Sequence, residues 1–336
     1  DYSVIDAEVA AALAVPVSDP DTVPQPGGAV EIGLTEGVTL GVPGGEFPDW
    51  TLRAIPIAAA AQIVGREFAG IIGHDVLAER VWRIDYEAGT LTVYDASSVL
   101  PTDGAEIAVE VIAAEPFIEA VIEQPHAAAI PGKFKLDTGS TDVAGLNLNF
   151  HEGASVLAPG QATIPVPGVA VGGETTGILY RIGAFRIGPY SISSPVIGAT
   201  LESAGFENRA DAGTIGGAAL RQFTLTIDYP RNRILLEPNG SYGKPAGEDL
   251  SGLWPVAHGD DFSVARARYV IPDSPAARAG VQVDDLILTV DGVPVSELRL
   301  AGVFELLRTG AGSTRVLRID RAGEILELPV RLEPLL

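Results

Sequence analysis

The 336-residue sequence contains no Cys and no Met. The first absence excludes disulfides, thiol nucleophiles and Cys-based metal sites. From the second, the sequence is expected to begin after processing or truncation, or to lack residues of the full product, and no signal peptide is visible in it. Cations are scarce: 22 Lys and Arg stand against 44 Asp and Glu, a net charge of −22. Such a surface repels phosphate backbones and anionic membranes, which argues against nucleic acid as a partner. Long apolar runs are also missing. The run Ile55–Ala61 is broken by Pro56 and falls far short of the roughly 18 residues that a membrane helix needs. No transmembrane span is expected.

The chain is instead rich in turn formers, with 39 Gly and 25 Pro spread along its length between short runs rich in Val, Ile and Thr. This pattern reads as short strands punctuated by turns, a mainly β fold. At about 100–200 residues per domain the length allows two or three domains.

An internal repeat carries the most information. Ile71-Ile72-Gly73-His74-Asp75-Val76-Leu77, then Ile84-Asp85-Tyr86 and Leu91-Thr92-Val93, recurs as Thr214-Ile215-Gly216-Gly217-Ala218-Ala219-Leu220, then Ile227-Asp228-Tyr229 and Ile234-Leu235-Leu236. The matched positions keep one offset without a gap. Each copy reads as an apolar pair ending at Gly, a short helical turn, a strand, a tight turn and a second strand. Two homologous lobes follow, over residues 1–102 and 103–240. Asp85 and Asp228 recur in both and are expected to be structural, as charges on an exposed strand.

Upstream of the second copy, Gly132-Lys133-Phe134-Lys135-Leu136 runs into Asp137-Thr138-Gly139-Ser140. A strand that delivers a carboxylate into a Thr-Gly-Ser turn suits water activation. The strand holds it, the Gly lets backbone N–H groups approach it, and the hydroxyls fix its orientation. Taken with the repeat, the chain resembles the pepsin/retropepsin superfamily of aspartic proteases. There each lobe contributes an Asp-Thr/Ser-Gly loop crossed by an apolar-apolar-Gly segment. The run Gly73-His74-Asp75-Val76-Leu77 is similar to the retropepsin helix signature, with His74 where Arg is usual. The resemblance implies two retropepsin-like lobes and peptide hydrolysis without metal, cofactor or covalent intermediate. It makes Asp137, Thr138, Gly139 and Ser140 the candidate catalytic loop and a peptide or protein the substrate.

The first lobe shows no matching loop. Asp1-Tyr2-Ser3-Val4-Ile5-Asp6-Ala7-Glu8 resembles the segment that directly follows Asp-Thr-Gly-Ala in bacterial retropepsin-like proteins, with a strand leading into a helix over Ala7 to Leu13. Three explanations stay open. The first loop precedes the recorded sequence; or the protein lacks it and is an inactive peptide binder on a protease scaffold; or a second copy of the chain supplies it in a homodimer. Flap hairpins over a cleft are expected at Val30 to Phe47 and Gly168 to Gly188, both rich in Gly and β-formers.

After a linker at Gly240 to Gly247, residues 248–336 change character. Phe262 to Val270 reads as a strand. Ser274-Pro275-Ala276-Ala277-Arg278-Ala279-Gly280 and Asp284-Asp285-Leu286-Ile287 follow, and then Asp291-Gly292. This run resembles bacterial PDZ domains. A helix over Glu297 to Leu307 would place Leu300, Val303, Phe304 and Leu307 on one face. The resemblance implies a groove for an added peptide strand between Phe262–Val270 and that helix, with Phe262, Val264, Leu300 and Phe304 as binding residues. The loop before Phe262 carries Asp260 and Asp261, which would repel a terminal carboxylate. An internal peptide segment, or docking on the chain's own lobes, is the alternative ligand. Bacterial proteins that combine these two modules look exported, so a periplasmic location is expected.

The four His residues, at 74, 126, 151 and 258, lack metal-ligand spacing. No nucleophile elbow, Walker or dinucleotide glycine pattern is present.

Overall fold

The computed structural model describes residues 2–25, 28–42, 45–125, 128–170, 173–201, 211–245 and 248–336. It is mainly β, with two like lobes followed by the C-terminal module. The chain forms two compact units. One holds Asp1–Ile55, Gly70–Thr163 and Gly168–Ala246, and the other holds Pro56–Ala69, Ile164–Pro167 and Gly247–Leu336.

In the first unit the repeat is visible as repeated strand pairing. Strand Ala144–Leu146 runs antiparallel to Gly213–Ile215 and parallel to Val196–Thr200. Strand Val4–Asp6 runs antiparallel to Gly70–Ile71 and parallel to Gly45–Ile55. Val4 faces Ile71 as Gly145 faces Thr214. Each lobe then passes through a Gly into a one-turn helix, His74–Leu77 or Gly217–Leu220. A hairpin follows each, Arg80–Asp85 with Thr90–Asp95 and Phe223–Asp228 with Arg233–Pro238.

The two hairpins meet in one five-stranded sheet through Arg80–Asp85 and Phe223–Asp228. Arg83 faces Thr226, its own counterpart in the repeat, with Ile84 against Leu225 and Trp82 against Ile227. A local twofold axis therefore passes between Arg83 and Thr226. Trp82, Phe223, Leu225, Ile234 and Leu236 are buried in the shared core.

Asp85 and Asp228 do different work at equivalent positions. Asp85 accepts the N–H groups of Glu87 and Ala88 and caps its turn. Asp228 does not lie on an exposed strand as expected. It is 2% exposed and takes Arg231 Nη1 and Arg233 Nε, each at 2.8 Å. The neighbouring strand positions are buried on both faces, so this carboxylate needs its two cations.

The first expected flap is the hairpin Gly28–Val42 with Gly45–Ile55. Its far end is fastened rather than free: Phe47 is buried and stacks on Trp82 at 6.0 Å, with Arg80 over its ring. The second is the hairpin Ile164–Ala170 with Gly173–Arg181. It is shorter than Gly168 to Gly188 suggests, because Ala184–Ile187 turns away to pair with Glu115–Glu123. The helix after Val4–Asp6 covers Ala7–Ala12, with Asp6 as its N-cap. The described part of the linker is anchored through Tyr242, which packs on Tyr190 and Phe223.

The second unit holds a sheet in the order Leu253–His258, Val264–Val270, Leu286–Val290, Thr314–Arg321, Glu324–Arg331. Helix Val295–Arg308 is interrupted at Arg299, where φ is 56°. Its later part places Leu300, Val303 and Leu307 in a core with Leu253, Ala265, Ile287 and Leu317. Two segments from earlier in the chain join this unit. Helix Ala58–Val64 packs on strand Leu253–His258, and Tyr269 Oη donates to the carbonyl of Pro165 at 3.4 Å.

Candidate active site and peptide groove

Strand Ile130–Leu136 buries Phe134 and Leu136, and this fixes the end from which Asp137 emerges. The Asp137 N–H donates to Ile215 O at 3.0 Å, which carries the parallel pairing one residue beyond the strand. Its Oδ1 accepts the Gly139 N–H at 3.0 Å. The Ser140 N–H closes the turn on Asp137 O at 3.3 Å. Asp137 and Ser140 are half-buried, and Thr138 and Gly139 are exposed. The carboxylate is thus oriented by a backbone donor and open to solvent.

The loop rests on a crossing. Strand Gly213–Ile215 passes between Ile130–Leu136 and Ala144–Leu146, and Gly216 and Gly217 then run beneath residues 138–142. Gly217 N–H donates to Ser140 O at 2.7 Å, Gly216 N–H to Val143 O and Ala218 N–H to Asp142 O at 3.2 Å each. A Cβ on Gly216 would lie 2.3 Å from Asp142 O and 2.7 Å from Ser140 Oγ. Gly216 has extended backbone angles, so the Gly is required by space and not by conformation.

The first lobe pins its helix differently. Asp75 accepts the Ser3 N–H on both oxygens at 3.0 Å and the Ser3 hydroxyl at 2.6 Å. Ser3 Oγ accepts the Gly73 N–H at 2.9 Å. Sequence reasoning placed Asp75 in a signature and assigned it no role; its spacing from Gly73 was the available signal. Among the described residues no strand pairs with Gly70–Ile71 as Ile130–Leu136 pairs with Gly213–Ile215.

His74 lies against the Tyr229 ring at 4.8 Å between centroids, and burial pushes its imidazole pKa down. Burial does the same to His151, whose Nδ1 pairs with Tyr180 Oη at 3.0 Å. His126 lies outside the described residues. Among the described residues no group of three or more His, Asp or Glu is placed to hold a metal.

The strand that the sequence placed beside a peptide groove is not at the edge of the sheet. Val264–Val270 is an inner strand, paired with Leu253–His258 on one side and Leu286–Val290 on the other. A peptide has no free edge there. The edge strand is Leu253–His258, and Pro255 within it suits an edge because it gives up a ladder donor. Phe262 stands in the turn between the two strands with φ 53°, and Val264 pairs with His258. Leu300 and Phe304 are on the helix beside the edge strand, Leu300 buried and Phe304 half-buried under Arg308.

The loop that feeds the edge strand is Asp249–Gly252, not Asp260–Asp261. The N–H groups of Leu250, Ser251 and Gly252 are already taken. Ser251 N–H donates to Asp249 Oδ1 at 2.8 Å and Gly252 N–H to Asp249 Oδ2 at 2.9 Å. Ser251 Oγ donates to Asp249 Oδ1 at 2.7 Å, and Leu253 N–H donates to Ser251 Oγ at 3.0 Å. Leu250 N–H donates to Leu307 O. Burial raises the Asp249 carboxyl pKa, and the Ser251 and Gly252 donors and the Arg308 charge oppose that rise.

Residues 266–321 match the family model described as the PDZ domain. This part of the chain is a PDZ domain. The chain is also similar to a solved retropepsin-like aspartic protease from Rickettsia conorii, with 16% identity over 39% of this chain and 98% of that one, at a TM-score of 0.30. It is similar to a solved HtrA-type protease, a variant of AlgW with a decapeptide, with 11% identity over 78% of this chain and 97% of that one, at a TM-score of 0.28. Likeness at these scores carries no functional weight.

Proposed function

We propose that the chain is the body of an aspartic endopeptidase whose second lobe contributes Asp137 and whose PDZ domain engages peptide. The observation that supports this is the crossing beneath residues 137–140. A strand delivers one carboxylate to an exposed turn, and two close-packed glycines fix that turn from below. Such rigidity suits a group that must hold a water within hydrogen-bond reach of a scissile carbonyl. In the proposed reaction a second carboxylate faces Asp137. Two such groups a few ångströms apart share one proton, so one acts as base on the water and the other protonates the carbonyl oxygen.

The test uses the full gene product and an unstructured protein substrate between acid and neutral pH. Hydrolysis that survives a chelator and is lost in Asp137→Asn is the expected result. Retained hydrolysis in Asp137→Asn would overturn the assignment. Absence of any hydrolysis by the wild type would leave a peptide-binding protein on the same scaffold.

A further inference from the structure

The PDZ edge strand has a neighbour from earlier in the chain. Helix Ala58–Val64 packs on Leu253–His258, beside helix Val295–Arg308. The helix ends at Gly65, which adopts φ 78° and caps it through Gly65 N–H to Ala61 O. A Cβ on Gly65 would lie 2.5 Å from Leu300 Cβ. The turn therefore needs Gly twice over, for the left-handed angle and for its seat on Leu300. Ile57, at the start of the helix, is buried. An extended peptide added to Leu253–His258 would need the space this segment fills.

We infer that the peptide groove of this PDZ domain is a cis-docking site, occupied by the chain's own segment Pro56–Ala69, and that an external peptide binds by displacing it. Two features favour an internal occupant over a captured C-terminus. The Asp249 carboxylate already sits on the N–H groups of Ser251 and Gly252, where a terminal carboxylate would be received. The seated segment is helical, so it covers the edge without completing the ladder. An extended competitor that supplies ladder hydrogen bonds thus has something to gain, whereas the tethered segment has the advantage of high effective concentration. Pro56–Ala69 is covalently continuous with the lobe-one strands Gly45–Ile55 and Gly70–Ile71. Displacement would therefore release both strand ends from this anchor.

This inference rests on the peptide-groove part of the proposed function and not on the aspartic mechanism, so neither readout below is proteolysis. The chain lacks Cys, and Val64 is exposed. A nitroxide on Val64→Cys in the full chain should broaden the amide signals of Leu253, Trp254, Val256, Ala257, His258 and Leu300 at least twofold. The non-proline amide signals of Glu324–Arg331, four strands and about 19 Å away across the sheet, should be spared. Unbroadened signals from the edge-strand residues would overturn the inference. In a second arm, residues 58–65 are replaced by a Gly-Ser linker of equal length. A fluorescent synthetic peptide copying residues 55–70 should bind this variant at least tenfold more tightly than the wild type. Equal binding to both, or binding to neither, would also overturn it.

Discussion

Gly216→Ala tests the crossing on which the site stands. The added methyl would sit 2.3 Å from Asp142 O, about 1 Å short of ordinary contact, and 2.7 Å from Ser140 Oγ. Overpacking costs roughly 1–3 kcal/mol where side chains can yield. Here the nearest obstacle is backbone, held by the Ala218 N–H to Asp142 O bond, so about 3 kcal/mol is expected. For a unit of this size that lowers Tm by roughly 6–12 °C. Gly41→Ala is the control, because nothing lies within 4 Å of its added Cβ and its cost should stay within about 0.5 kcal/mol. Thermal unfolding followed by near-UV circular dichroism reads both. A Gly216→Ala midpoint within 2 °C of wild type, by a threshold of about 0.5–1 kcal/mol, would refute the close approach of the crossing strand to the loop.

Three further outcomes are expected. Arg321→Ala removes two 2.7 Å bonds from Asp285, which is 1% exposed; because the Arg is itself partly solvated, a loss of about 2–3 kcal/mol is expected in chemical denaturation, and an unchanged midpoint would contradict it. The hydrogen bond from Arg83 holds the Glu237 carboxyl below its ordinary pKa. A depressed folded pKa gives stability above the unfolded value that is lost as pH falls through the folded one. Arg83→Ala should therefore cost about 1 kcal/mol at neutral pH, with the deficit shrinking below the ordinary Glu range; a pH-independent deficit would refute the pairing. Asp249→Ala leaves the Ser251 and Gly252 N–H groups without their carboxylate and should destabilise by about 1–3 kcal/mol. Sodium acetate should restore part of that where equal sodium chloride does not, and identical effects of the two salts would count against the carboxylate role.

The sequence repeat foretold the twinned strand pairing because each copy carries its own apolar pair, Gly and turn. The crossing was legible for the same reason, since Gly216 is the residue that close packing demands. The PDZ domain was legible from Ser274-Pro275-Ala276-Ala277, but the strand expected beside its groove is not at the edge of the sheet. The turn at Gly259–Phe262 and the loop at Asp249–Gly252 look alike in composition, and pairing alone tells which strand is at the edge. Nothing local marked Asp228 as buried, because its twin Asp85 has the same neighbours Ile and Tyr in sequence. Least legible was Pro56–Ala69. Its apolar run was weighed only against a membrane span, and its partner residues lie about two hundred positions further along the chain.

The facing pair Arg83 and Thr226 carries a consequence for how such a molecule can arise. In a symmetric dimer of single lobes, a residue on the axis meets itself, so an Arg there would oppose an Arg. Like charges directly opposite across a ladder are unfavourable. Joining the copies in one chain frees the two positions to diverge. One copy keeps a cation that reaches Glu237, and the other supplies a small hydroxyl that lets it pass. The tandem chain can hold an arrangement on its axis that no pair of identical lobes could share.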